Sequence, residues 1–310
     1  MYDKVKMWLD RTIVGEQLSY IPNYLDEATT HYTHKTGEER VSGSLGGLRV
    51  VVGVNGLSVL GSLPKFLYGN NVAPLDRRAT IEVMEKISDC LHVPIDNAKI
   101  TELEFGYTFA VRHPVESYLS RLGIAPRLKR LQCNTNTLYY RGRGHSPTKE
   151  LSFYDKRAEM ARERENIPID ATHLLRYEMK LHGRLPQQLG IPAVTASTLT
   201  ESDTYRMLVR RWQDFYFAIT KQVAMADLHN IKTPKEAKEV LIARLIMEAG
   251  QERIDAFLQE LRNAQVFDNR NNYTRLKKQL MGGVQNTRKP TSDELIRELD
   301  NEVINCGCYI

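Results

Sequence analysis

Three short segments space carboxylates, a tyrosine and cationic side chains two residues apart, the repeat that puts them on one face of a β-strand. In Ile100 to Phe105, Glu102 and Glu104 share a face, with Thr101, Leu103 and Phe105 on the other. In Leu151 to Lys156, Ser152 and Tyr154 lie opposite Leu151 and Phe153, and Lys156 joins them if the strand persists. In Leu174 to Leu181, Leu174, Arg176, Glu178 and Lys180 oppose Leu175, Tyr177, Met179 and Leu181. Glu159 follows Tyr154 by five positions. An antiparallel sheet with one wetted face gives this alternation without any chemistry. Glutamates gathered on that face would repel one another unless a cation sat among them. Mg²⁺ and Mn²⁺ favour carboxylate oxygens and water, and phosphate oxygens complete their shells.

A tyrosine beside such a centre has a use. Its pKa is about 10, so roughly a thousandth is phenolate at neutral pH. A nearby cation such as Lys156, or a metal, favours the phenolate. Attack on a DNA phosphate then forms a phosphotyrosine link and frees a 3′ hydroxyl. The metal neutralises the phosphate oxygens and orients the scissile bond. The link stores the phosphodiester energy for rejoining, so no nucleotide cofactor is required.

The elements that must position these residues read as strands with helices between. Val5, Met7 and Leu9 alternate with Lys4, Lys6, Trp8 and Asp10. Leu48 to Val54, Asn55-Gly56 and Leu57 to Leu60 read as a hairpin turned on Asn-Gly. Leu75 to Leu91 has helical spacing, with Ile81, Met84, Ile87 and Leu91. Ile100 to Phe109 is the next strand, and His113-Pro114 opens a short helix that Gly123 ends. Thr137 to Tyr140 and Leu151 to Tyr154 are strands joined by the Gly142-Arg-Gly144 loop, followed by a helix from Lys156 to about Glu165 and a strand from Leu174 to Leu181. Hairpins mixed with single helices predict an α+β fold, a mainly antiparallel sheet core. Pro186 to Thr200 reads as a connector. Beyond it the chain is helical: Ser202 to Leu228, Thr233-Pro234 to Ala249, Gln251 to Asn263, Asn271 to Leu280, and a last helix from Thr291. This divides the chain into a core over 1–195 and a helical part over 196–310.

Length and composition fit such an arrangement. The chain has 310 residues, 42% hydrophobic and 26% charged, ordinary for a globular protein. It has no run of apolar residues long enough to span a bilayer and no signal-peptide pattern, which points to the cytoplasm and away from membranes. The net charge of +5 is unevenly spread. Ser117 to Lys149 has no acid but contains Arg121, Arg127, Lys129, Arg130, Arg141, Arg143 and Lys149. Arg270 to Lys289 is also free of acids and contains Arg275, Lys277, Lys278 and Arg288. Two such stretches predict a polyanion partner, and two solvated surfaces are the bland alternative. The first runs into the tyrosine strand and would cradle the strand being cut. The second would grip duplex DNA. The helical part is a candidate to bind DNA, a host helicase or a second subunit. Cys90, Cys133, Cys306 and Cys308 lack the spacing of a zinc site.

Several segments, in order, resemble the filamentous-phage gene II/X replication proteins and, more distantly, plasmid initiators that nick a double-strand origin. They are Gly61-Ser-Leu-Pro-Lys-Phe-Leu-Tyr-Gly69-Asn-Asn71, Lys99-Ile-Thr-Glu-Leu-Glu104, Leu151-Ser-Phe-Tyr154-Asp-Lys156-Arg-Ala-Glu159, Leu175-Arg176-Tyr-Glu178-Met-Lys-Leu181 and Leu185-Pro-Gln-Gln-Leu-Gly190-Ile-Pro192. The likeness covers roughly residues 2 to 195. It implies rolling-circle initiation by metal-dependent nicking, with Tyr154 as nucleophile and Lys156 as its electrostatic helper. It also implies Glu104, Glu159 and Glu178 as metal or acid/base groups, and Arg176 holding a phosphate or bracing a carboxylate. The family's central strand commonly reads Arg-x-Asp where this chain has Glu102-x-Glu104, so Glu102 is either an extra ligand or a surface group.

Three other readings are compatible with parts of the pattern. A relaxase for mobilisation or transposition would use the same chemistry. A non-catalytic DNA-binding regulator would bind without cutting. A tyrosine recombinase would work without metal, and the three glutamates argue against it. Tyr139 and Tyr140 lack the Lys and Glu that follow Tyr154, and suit stacking or packing better. His31 and His34 have the wrong spacing for a strand pair of metal ligands, and His145 and His173 read as exposed and structural.

Overall fold

The computed structural model describes residues 1–33, 37–142, 144, 148–165, 170–221, 232–286 and 294–306. Arg143, His34, His145, Arg288 and Cys308 lie outside the described residues. The strands are β1 (Tyr2–Asp10), β2 (Asp26–Thr33), β3 (Glu38–Leu45), β4 (Leu48–Gly53), β5 (Gly56–Ser62), β6 (Lys99–Val111), β7 (Leu128–Asn134), β8 (Thr137–Gly142), β9 (Lys149–Asp155) and β10 (His173–His182). They form one sheet in the order β2-β3-β4-β5-β1-β6-β10-β9-β8-β7, and every pairing is antiparallel. The helices α1 (Arg11–Val14), α2 (Leu63–Tyr68), α3 (Arg77–Leu91), α4 (Val115–Leu119) and α5 (Lys156–Glu163) fall between strands. After β10 come α6 (Leu185–Leu189), α7 (Ala196–Thr200), α8 (Ser202–Ala218), α9 (Pro234–Asn263), α10 (Arg270–Asn286) and α11 (Glu294–Asn305). The fold is the expected α+β antiparallel core with a helical C-terminal part. Among the described residues no helix is long and apolar enough to cross a membrane.

One face of the sheet is buried under helices. Phe153 stacks on Tyr177 at 4.2 Å, and Tyr177 stacks on Trp212 of α8 at 4.6 Å. Leu208, Val209 and Tyr216 of α8 and Leu299 and Val303 of α11 belong to the same buried cluster. Packing therefore runs across residue 195, because the apolar face of the sheet is covered by helices from both sides of it. A separate small cluster of Ile246, Ile254 and Leu258, flanked by Leu276 and Leu280, holds α9 and α10 together.

Several elements depart from the sequence reading. The segment read as a connector contains α6 and α7. The two helices expected on either side of Gly250 are the single helix α9, whose start is closed by a capping box between Thr233 and Glu236. The hairpin at Asn55-Gly56 exists, but its register is one residue off: Gly53 pairs with Gly56 across Val54 and Asn55. Gly56 is required at φ 151°, where a Cβ would lie 2.1 Å from Leu9 O. Strands β2, β3 and β7 have no counterpart in the sequence reading. The residues of β2 read Asp-Glu-Ala-Thr-Thr-His-Tyr-Thr, with no apolar alternation to detect, because that edge strand buries little.

Candidate active site

The opposite face of the sheet gathers the polar residues in rungs. Register aligns Lys129, Arg141, Glu150, Lys180 and Glu104 across β7, β8, β9, β10 and β6. The next rung is Leu131, Tyr139, Ser152, Glu178 and Gly106. Thr137, Tyr154, Arg176 and Thr108 form the third. Tyr154 thus lies directly across from Arg176 and diagonally from Glu178. Its position is fixed from behind as well: β9 ends at Asp155, whose side chain caps α5 by accepting from Ala158 N at 2.9 Å.

The centre of the site is the buried carboxylate of Glu178. Its Oε1 accepts from the Tyr154 hydroxyl at 2.8 Å and from Arg176 Nε at 3.1 Å. Its Oε2 accepts from Ser152 Oγ at 3.1 Å and lies 3.3 Å from Lys180 Nζ. Burial alone would raise the pKa of this carboxyl. The charges of Arg176 and Lys180, with hydrogen bonds from Tyr154 and Arg176, outweigh burial and hold it down to about 2. The side chain reaches this position across β6 at Gly106, where a Cβ would lie 2.8 Å from Glu178 Cγ and 2.7 Å from Tyr177 O.

Asp3 is the carboxylate that the sequence pattern concealed. Simple alternation places Asp3 with Val5 on the apolar face. Between the pairs Tyr2–Phe105 and Val5–Leu103, however, β1 has two residues and β6 has one. This β-bulge carries Asp3 onto the polar face beside Glu104. Asp3 is buried there, accepting from Ser62 Oγ at 2.6 Å, from Asn71 Nδ2 at 3.0 Å and from the Arg176 guanidinium. Arg176 also donates to Asn71 O at 3.0 Å and Thr108 Oγ1 at 2.9 Å. It therefore braces two carboxylates and two neighbouring segments at once, which a planar five-donor group can do and an ammonium cannot.

Asp3, Glu104 and Glu178 bring one oxygen each within 4.8 Å of one another. This all-oxygen set suits Mg²⁺ or Mn²⁺. The three carboxylates face two paired cations, Arg176 and Lys180, so one negative charge is left over. Glu104 bears it: its nearest cation, Lys180 Nζ, is 3.5 Å away. Its pKa is pushed up to about 7, chiefly by burial, with Lys180 opposing and Glu178 and Asp3 adding to the rise. Among the described residues Glu104 pairs only with Lys180 and Asp3 Oδ1 accepts only from Ser62, so both keep lone pairs for a cation. Both oxygens of Glu178 are already engaged, Oε1 by Tyr154 and Arg176 and Oε2 by Ser152 and Lys180, so an ion bound there takes the place of Lys180. The residues present fit such an ion.

Burial also pushes the Tyr154 phenol well above its ordinary pKa; Glu178 raises it further, Arg176 opposes, and Glu159 and Asp3 add to the rise. Of the charges that act most strongly on the phenol, Arg176 is the cation, and it favours the phenolate. Lys156, expected in that role, is fully buried and turns its ammonium to Glu159 one helical turn along α5. Glu102 stands apart from the carboxylate centre, paired with Lys6 at 3.1 Å and His182 at 3.6 Å.

The basic residues divide by face. Lys129 and Arg141 share a rung on the site face, where Arg141 pairs with Glu150 and lies 5.2 Å over the Tyr139 ring. Arg130 points to the helix side and donates to Leu122 O at 3.0 Å, and Lys149 lies 4.1 Å over the ring of Phe215 in α8. Arg127 is exposed just before β7. On α10, Arg275 and Lys278 are exposed, and Lys277 pairs with Asp255 at 2.7 Å.

A rolling circle replication initiator protein from Geobacillus stearothermophilus has a solved structure matching 73% of this chain and 87% of its own, at 12% identity and a TM-score of 0.41. That likeness is too loose to carry an argument about this chain. No curated protein matches it. The family model for the N-terminal part of the phage replication-associated protein of gene II type matches residues 1–202, a span that includes every strand among the described residues and every residue of the carboxylate centre. The chain belongs to this family of phage replication-associated proteins.

Proposed function

We propose that this protein initiates rolling-circle DNA replication by cutting one strand and keeping the 5′ end on Tyr154. The observation that carries the reading is the Tyr154 hydroxyl, hydrogen-bonded to Glu178 within the Asp3–Glu104–Glu178 centre on the polar face of the sheet. The Tyr154 oxygen, oriented by its hydrogen bond to Glu178, gives up its proton and attacks the scissile phosphorus. The bond from phosphorus to the 3′ oxygen breaks, and that oxygen takes up a proton to become the primer hydroxyl. The product is a 5′-phosphotyrosine. Arg176 holds Glu178 and Asp3 in place and offsets the field that keeps the phenol protonated. Asp3, Glu104 and Glu178 would hold Mg²⁺ or Mn²⁺, which supplies charge neutralisation and orientation of the phosphate. Lys129 and Arg141, on the same face, meet the DNA backbone.

The test is a nicking assay on negatively supercoiled DNA carrying the replicon that encodes the protein, with Mg²⁺, Mn²⁺ or EDTA. Nicked circles with protein attached, formed only with metal, are the expected result. Cutting that resists chelation points instead to a metal-free tyrosine recombinase. Specific binding without any cutting points to a non-catalytic regulator.

A further inference from the structure

Asn71 is buried beside the carboxylate centre, and its two amide atoms are treated differently. Nδ2 donates to Asp3 Oδ2 at 3.0 Å. Oδ1 is buried and has no hydrogen-bond partner among the described residues. A carboxylate only accepts, so Asp3 fixes the amide with its nitrogen inward. The oxygen, on the same carbon, is buried next to Asp3 with its lone pairs unused. A buried, unpaired amide oxygen is costly, and few occur in folded proteins. Here the backbone secures the residue as well, because Asn71 O accepts from Arg176 at 3.0 Å. The same guanidinium thus anchors Asn71, Asp3 and Glu178.

We propose that Asn71 Oδ1 is a fourth protein oxygen for the divalent cation held by Asp3, Glu104 and Glu178. Amide carbonyls are ordinary ligands of hard cations, and a neutral one completes the set without adding to the surplus negative charge. The loop before α3 thereby becomes part of the metal centre. Its sequence, Gly69-Asn-Asn71, has no strand or helix period that would draw attention to it.

This inference rests on the metal-dependent reading above. It is tested by titrating the full chain with Mn²⁺ in the absence of DNA and counting free ion by electron paramagnetic resonance. Wild type is compared with Asn71→Leu, which removes both donor and oxygen, and Asn71→Asp, which keeps an oxygen but loses the donor. Asn71→Ala replaces the leucine variant if circular dichroism shows the latter unfolded. The expected result is about tenfold or weaker binding in Asn71→Leu, a loss typical of a disturbed metal shell, with binding in Asn71→Asp at or above wild type. Equal binding by wild type and Asn71→Leu overturns the assignment and leaves the metal reading intact. Weakening in both variants also overturns it, and makes Asn71 a donor that positions Asp3. If wild type itself binds no Mn²⁺, the metal reading fails along with it.

Discussion

The Tyr154 hydroxyl donates to Glu178 Oε1 across 2.8 Å, and Arg176 Nε reaches the same oxygen at 3.1 Å. The nucleophile proposed here is therefore tied to the carboxylate that its own cation braces. Replacing Tyr154 by Phe removes one hydrogen bond and leaves Arg176 on Glu178. The expected loss of stability in urea unfolding is small, about 1 kcal/mol. DNA binding should persist while cutting disappears.

Arg176 carries much more of the structure. It is buried between Asp3 and Glu178, and removing one member of a buried ion pair leaves a charge uncompensated. Arg176→Met should cost about 3–5 kcal/mol. Arg176→Lys should recover only part of that, since an ammonium cannot reach Asp3, Glu178, Asn71 and Thr108 together. Urea midpoints of the two variants and wild type check the order.

Glu104 offers a pH test. Its folded pKa of about 7 lies above the ordinary carboxyl value of 4.5. At pH 4.5 the folded carboxyl is protonated and the unfolded one half ionised, so the group costs little. As pH rises through 7 the folded state must ionise a group that burial disfavours, so stability is lost on the alkaline side. In metal-free protein, Glu104→Gln should therefore raise the unfolding midpoint at pH 8 and change it little at pH 4.5. A variant that loses stability at pH 8 contradicts this account of Glu104.

Gly106 should tolerate no side chain. A Cβ there meets Tyr177 O at 2.7 Å and Glu178 Cγ at 2.8 Å. Gly106→Ala should lower stability by about 1–3 kcal/mol, the usual cost of overpacking, and reduce cutting by displacing Glu178. Thermal unfolding measured beside the nicking rate separates the two effects.

The faces of the basic strands give a binding prediction. Lys129 and Arg141 share the site face, whereas Arg130 and Lys149 turn to the helix layer. Lys129→Gln and Arg141→Gln should each reduce the slope of log K against log salt for single-stranded DNA by about 0.7. Arg130→Gln and Lys149→Gln should leave it unchanged. Fluorescence anisotropy across a salt series reads all four.

Strict alternation put Glu104, Tyr154, Arg176 and Glu178 on the polar faces of their strands, but it put Glu102 there equally, and only the resemblance to the replication proteins singled the four out. Asp3 was hidden because a bulge breaks the period at that residue, and nothing in Tyr2-Asp3-Lys4-Val5 announces it. Asn71 and Ser62 were hidden because their roles depend on contacts with β1 that only the folded register creates. Lys156 was misleading for a related reason: spacing put it beside Tyr154, but α5 begins there and the helix turns its ammonium to Glu159. Edge strand β2 gave no signal because it has little apolar surface to bury. Helices α8 and α11 are legible as helices, but their docking on the sheet is not, since an apolar stripe does not say which surface covers it.

The most direct measurement is the site of the covalent link. A single-stranded oligonucleotide containing the nick site, with too few nucleotides beyond it to be rejoined, would be incubated with the protein and Mn²⁺ and the adduct digested for mass spectrometry. The account predicts a nucleotide 5′-phosphate on the peptide containing Tyr154 and no adduct from Tyr154→Phe. An adduct on Tyr139 or Tyr140, or cutting by Tyr154→Phe at the wild-type rate, would contradict it.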